Sequence, residues 1–114
     1  MIKAGTVTLN VKDLNASISF YESLGMTMKE RWGEHYAELE TEGLKLGLHP
    51  AKESNVTVGS GNASIGFTTD QFDEVKALLE KLSVKYFERN EEGGQFIHFK
   101  DPDGTYLYFI KPKW

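Results

Sequence analysis

The feature that most constrains this chain is that it repeats itself. The order strand–helix–strand–strand–strand occurs twice, with corresponding positions about sixty residues apart. In the first half, residues 5–11 alternate strictly, Val7, Leu9 and Val11 on one side and Thr6, Thr8 and Asn10 on the other, the pattern of a strand with one apolar face. Asp13 and Asn15 are both able to cap a helix. Leu14, Ile18 and Tyr21, with Phe20 and Leu24, keep helical spacing until Gly25 stops the run. Strands over 27–32, 35–41 and 44–49 follow, separated by turns at Gly33-Glu34 and Glu42-Gly43. The second half predicts a strand over 63–69 and a helix capped by Asp70 that carries Phe72, Val75, Leu78, Leu79 and Leu82. Strands over 84–89, 95–100 and 105–111 close the chain, with turns at 91–94 and at Asp101-Pro-Asp-Gly104. His35-Tyr-Ala-Glu-Leu-Glu40 lies over Gln95-Phe-Ile-His-Phe-Lys100, and Leu44-Lys-Leu-Gly-Leu48 over Thr105-Tyr-Leu-Tyr-Phe109.

One helix covers only one face of a four-stranded sheet, so the other face is left open. The reading is an α+β fold of two βαβββ modules set edge to edge as a curved, eight-stranded half-barrel, helices outside and a cleft inside. It is taken as a single domain over 1–114, with module one at 1–49, a polar, glycine-rich linker at 50–62 and module two at 63–114. The apolar sets Val7/Leu9/Val11, Ala37/Leu39, Leu44/Leu46/Leu48, Ile65/Phe67, Ile97/Phe99 and Leu107/Phe109 are expected against the helices. The alternate positions then line the cleft, among them Thr8, Tyr36, Glu38, Lys45, Gly47 and His49 from module one. Ser64, Gly66, Phe96, His98, Tyr106, Tyr108 and Ile110 come from module two. Aromatic rings with a few polar groups are the composition of a small-molecule site.

Composition removes several classes. The 114 residues contain no cysteine, which excludes a disulfide scaffold, thiol catalysis and cysteine-held metals. Thirteen basic against seventeen acidic residues, a net charge of −4 with no basic block, argues against nucleic acid as a partner. No apolar run approaches the ~20 residues of a membrane helix, and the opening Met-Ile-Lys-Ala-Gly-Thr has no signal-peptide character, so a cytoplasmic protein without a membrane partner is expected.

On Val11-Lys-Asp-Leu14, on Ser19-Phe-Tyr21 followed by Leu24-Gly25, and on Asp101-Pro-Asp-Gly104 before the final strand, the chain resembles the vicinal-oxygen-chelate superfamily over essentially its whole length. That superfamily includes the glyoxalases, extradiol dioxygenases, fosfomycin-resistance transferases and bleomycin-resistance proteins. The resemblance implies a homodimer. It also implies four positions, on the first and last strands of each module, where the enzymes hold a divalent metal with histidine or glutamate. Here those positions are Thr6, Gly47, Ser64 and Tyr108. No metal and no other cofactor is therefore expected, and the pattern is nearer the metal-free, drug-sequestering bleomycin-resistance branch.

The candidate ligand-binding residues are Trp32, Tyr36, Glu38, Phe96, His98, Tyr106 and Tyr108; no catalytic residue is assigned. Aromatic rings suit flat or cationic ligands, and Trp114 is a further aromatic candidate. For Trp32 and Trp114 the competing reading is packing in the core or at a dimer interface. His98 is read as a ligand hydrogen bond or base, or else as a histidine satisfied by its neighbours. Glu38 either meets a cationic ligand or pairs with Lys45 on the adjacent strand. The leading function is metal-free binding of a small planar or cationic aromatic molecule, an antibiotic among the candidates. The alternatives are a lyase, isomerase or dioxygenase-like enzyme with a displaced metal site, and a regulatory module whose cleft is filled by its own side chains.

Overall fold

The computed structural model describes residues 1–53 and 55–113; Trp114, one of the aromatic candidates, lies outside them. The chain divides into two compact units, Met1–Gly61 and Asn62–Trp114. Unit one contains β1 (Val7–Val11), α1 (Leu14–Ser23), β2 (Thr27–Trp32), β3 (Tyr36–Thr41) and β4 (Leu44–Pro50). Unit two contains β5 (Ser64–Thr68), α2 (Phe72–Lys81), β6 (Tyr86–Glu91), β7 (Gly94–Lys100) and β8 (Tyr106–Pro112). Each unit is a βαβββ module of α+β type. The sheets have the orders β1-β4-β3-β2 and β5-β8-β7-β6, so the same topology is built twice.

In each module the first and last strands pair in parallel and the remaining pairs are antiparallel. A parallel pair cannot be joined by a hairpin, so the helix lies in the crossover between its members. Alternation then sorts the side chains. Leu9, Val11, Ala37, Leu39, Leu46 and Leu48 are buried with Leu14, Ile18 and Tyr21 of α1. Ile65, Ile97, Phe99, Leu107 and Phe109 are buried with Phe72, Val75 and Leu79 of α2. Val7 departs from the expected apolar set. It opens β1 opposite Leu46, before the helix covers the sheet, and is 44% exposed.

The helix ends show how the two modules use different residues for one geometry. Asp13 caps α1, its Oδ1 accepting from the Ala16 N–H at 3.0 Å. Asp70 does not cap α2 as expected. The chain takes one more residue before the helix starts, Gln71 stands at the N-cap without a side-chain bond, and Thr69 Oγ1 accepts from the Gln71 N–H at 3.0 Å. At the other end, the Gly25 and Met26 N–H groups bond to the Glu22 and Tyr21 carbonyls at 3.0 and 3.1 Å, with Gly25 at φ +112°. In module two, the Ser83 and Val84 N–H groups bond to the Glu80 and Leu79 carbonyls at 3.1 and 2.9 Å, with Ser83 at φ +58°. Both are Schellman closures, one on glycine and one on serine. Leu82, expected within the helix, is the C-cap.

Two further boundaries differ from the sequence reading. β6 starts at Tyr86 and runs to Glu91, which pairs with Gly94, so the hairpin loop shrinks to Glu92-Gly93. The polar stretch after β4 folds against β1: the Ala51 N–H bonds to the Val11 carbonyl at 2.8 Å and the Gly59 N–H to the Asn10 carbonyl at 3.0 Å. No helix among the described residues is long and apolar enough to cross a membrane.

The serine at the left-handed position gives a direct test. Ser83→Gly is expected to raise stability by about 0.5–1 kcal/mol, because glycine adopts this conformation without the Cβ penalty. Gly25→Ala is expected to lower it by about 1 kcal/mol. Urea denaturation of both variants measures the pair.

Candidate functional site

The open face of each sheet is set by strand register. In module two one row crosses all four strands, Gly66 on β5, Tyr108 on β8, His98 on β7 and Phe87 on β6. The four rings of Phe87, Phe96, His98 and Tyr108 touch one another. Phe87 and His98 are stacked at 4.9 Å and 16°, Phe96 and His98 at 5.9 Å and 13°, and Tyr108 leans on both Phe96 and His98 at 5.9 Å. Phe87 is 57% exposed. The Tyr108 ring lies flat across Gly66, so a Cβ there would collide with Cζ, Cε2 and Oη of the tyrosine. Phe96, His98 and Tyr108 of the sequence-based set are thus brought together. Tyr106 sits farther along β8, exposed, with the Lys100 ammonium 5.1 Å from its ring centroid.

His98 is therefore held by ring contacts. Among the described residues its nitrogens have no hydrogen-bond partner, which leaves both for a ligand. The ring is packed by its aromatic neighbours, and no neighbouring side chain among the described residues satisfies its nitrogens.

Module one repeats the geometry with different chemistry. The matching row is Thr8 on β1, Gly47 on β4, Glu38 on β3 and Glu30 on β2. The Tyr36 hydroxyl reaches over Gly47, with the Thr8 hydroxyl beside it, and donates to Glu38 Oε1 at 3.4 Å. Partial burial holds the Tyr36 phenol above its ordinary pKa, with the Glu38 carboxylate adding to the rise and a hydrogen bond with Thr8 opposing it. Trp32 is opposite Tyr36 and packs on its ring at 5.4 Å. The Glu38–Lys45 pair considered from sequence does not form. Register puts Lys45 opposite Glu40, whose carboxylate forms an ion pair with Lys29 Nζ at 3.8 Å.

Phe87 is the principal residue that sequence reasoning missed. Tyr86 and Phe87 are both aromatic, so alternation alone does not say which faces which way. Only the two-residue loop at 92–93 puts Phe87 opposite His98 and sends Tyr86 to the helix side, where its hydroxyl donates to Glu80 at 2.6 Å. Lys29 was also missed, because a register shift between Met28 and Glu30 displaces it.

The four positions at which a divalent metal would be held do not fit one. Thr6 is exposed and precedes β1, Ser64 is exposed, Gly47 has no side chain and is covered by the Tyr36 hydroxyl, and the Tyr108 phenol lies on Gly66. None offers an imidazole or carboxylate. Among the described residues, no three of His, Asp and Glu are grouped so as to hold a metal ion.

Comparison with known proteins places this geometry. The model of the Glyoxalase/Bleomycin resistance protein/Dioxygenase superfamily matches residues 3–109. The uncharacterized protein YwbC of Bacillus subtilis is 27% identical, over 89% of this chain and 90% of its own. The metallothiol transferase FosB of Lysinibacillus sphaericus is 29% identical, over 88% of this chain and 75% of its own. Among solved structures, the fosfomycin resistance protein FosX of Listeria monocytogenes, complexed with Mn(II) and sulfate, superposes with a TM-score of 0.80 at 21% identity. It covers 99% of this chain and 93% of that one. A glyoxylase/bleomycin resistance protein/dioxygenase domain from Frankia reaches 0.81 at 17% identity, over 99% of each chain.

The ring lying on Gly66 is open to a double-mutant cycle. Gly66→Ala is expected to cost about 1–3 kcal/mol through overpacking. In a Tyr108→Ala background the same change should cost much less, and equal costs in both backgrounds would show that the ring does not rest on the glycine.

Proposed function

The chain belongs to the glyoxalase/bleomycin resistance protein/dioxygenase superfamily, and we propose that within it this protein binds a small planar organic molecule without a metal and without converting it. The observation that carries the reading is the open four-ring cluster of Phe87, Phe96, His98 and Tyr108. One of its members, Tyr108 on β8, stands at a position where the family resemblance puts a metal donor in the enzymes. Stacking on such a surface adds about 0.5–1.5 kcal/mol per good ring contact beyond area burial, and His98 offers a polar anchor that orients the ligand. The net charge of −4 favours a ligand that also carries positive charge. Antibiotics of planar, cationic type meet this description, and the structural neighbour named as a fosfomycin resistance protein supports antibiotics as a ligand class.

The competing reading is a metal-dependent transferase, which the FosB relative favours. The donor set at Thr6, Gly47, Ser64 and Tyr108 weighs against it. We also propose a homodimer in the cytoplasm. The edge strands β2 and β6 are exposed along nearly their whole length, and an open edge of this kind is covered in most proteins. A single monomeric species in sedimentation at micromolar concentration would end the dimer proposal.

The binding reading is tested by tryptophan quenching across planar cationic, planar neutral and small phosphonate or dicarboxylate compounds. Planar compounds are expected to bind best, cationic ones ahead of neutral ones. Tyr108→Ala and Phe96→Ala should each weaken binding about threefold to tenfold, in line with one lost ring contact. Tightest binding by the anionic compounds, or one metal held per chain on elemental analysis, overturns the reading.

A further inference from the structure

The open face of the first sheet carries a feature of its own. Trp32 and Tyr36 are directly opposed on β2 and β3, their ring centroids 5.4 Å apart and tilted by 46°, and Trp32 is 63% exposed. They form a shallow aromatic step whose outer faces are open. Beside it on the same face of β3 stands Glu38, half-buried, bonded to the Tyr36 hydroxyl and, among the described residues, in no ion pair. At the far end of the strip the charge is already matched, since Glu40 meets Lys29 at 3.8 Å and stands opposite Lys45. The carboxylate next to the rings is in no close ion pair, and Lys29, which pairs with Glu40, acts on it only at longer range.

We infer that Trp32, Tyr36 and Glu38 form a subsite for an alkylated ammonium group. Ring faces attract cations through their quadrupole, and the attraction is greatest for cations that shed water easily. A methylated or otherwise alkylated nitrogen does so, whereas sodium, magnesium and unsubstituted ammonium are strongly hydrated. Glu38 adds the charge that a pair of rings lacks, and its bond from Tyr36 holds the carboxylate at the edge of the step. Lys29 and Lys45 are the cations on this face that a ligand must compete with, so binding weakens as ionic strength rises. The inference rests on the ligand-binding reading only in taking the ligand to be an organic cation, for the subsite lies within one sheet.

The probe is tetramethylammonium chloride alone, titrated into the whole protein while the Trp32 indole and Tyr36 ring resonances are followed, with sodium and ammonium chloride at matched ionic strength as controls. Saturable, millimolar shifts confined to these residues are expected with tetramethylammonium and not with the controls. Trp32→Ala should abolish them, Glu38→Gln should weaken binding about threefold to tenfold by removing the carboxylate bonded to Tyr36, with Glu30 opposite it left in place, and Tyr108→Ala should leave them unchanged. Because Trp32 is exposed, its variant is expected to keep the parent's remaining backbone spectrum, which checks folding. Equal shifts with sodium chloride, or saturation unaltered by both Trp32→Ala and Glu38→Gln, overturns the inference. If planar compounds bind through Tyr108 and tetramethylammonium does not bind, the subsite alone fails. If tetramethylammonium binds as described and no planar compound does, the binding function alone fails and the subsite stands.

Discussion

The parallel pairing of first and last strands in each module is the constraint on which everything else depends. It commits the helix to the crossover, and a helix in the crossover covers one face of the sheet. With one face buried, every strand residue has a fixed side, and a slip of one residue would exchange the leucines of β4 for Lys45 and His49 in the core. Register is therefore strongly specified, and with it the composition of the open face. The site residues are where they are because their neighbours in sequence cannot be anywhere but in the core.

The two modules show how much chemistry one backbone admits. The row Phe87–His98–Tyr108–Gly66 and the row Glu30–Glu38–Gly47–Thr8 occupy equivalent register positions, one aromatic and one acidic and polar. Each has a tyrosine lying over a glycine. Tyr108 does so from the strand next to Gly66, whereas Tyr36 reaches diagonally over Gly47 toward Thr8. In both, the glycine takes away the Cβ that would lift the ring off the sheet, so the tyrosines lie low and the face stays open above them.

Much of the fold was legible because alternation and punctuation are local. The strand of Val7, Leu9 and Val11, the cap at Asp13 and the stop at Gly25 each depend on a few adjacent residues. Phe96, His98 and Tyr108 could be placed on one face because β7 and β8 alternate cleanly on both faces. What was not legible depends on distant or ambiguous choices. Phe87 competes with Tyr86 for one face, and the winner is decided by a loop of two residues. Glu38 was offered Lys45 because the strands are adjacent, but the offset between β3 and β4 gives that lysine to Glu40. Asp70 looks like a cap by type, yet the helix begins one residue later than its position requires.

The open aromatic face also bears on how a ligand would be held. Exposed rings are costly to leave in water and are normally buried. Here the exposed Phe87 and the half-buried Phe96, His98 and Tyr108 reduce that cost by stacking, and the same contacts fix their orientations before any ligand arrives. A flat molecule then meets a surface whose side-chain entropy is already spent, so more of its contact energy appears as affinity. The phenol of Tyr108 is part of that surface only while Gly66 lies beneath it. A Cβ there would collide with the ring and disturb its contacts with Phe96 and His98, so under the proposed binding function a residue with no side chain helps to set what this face holds.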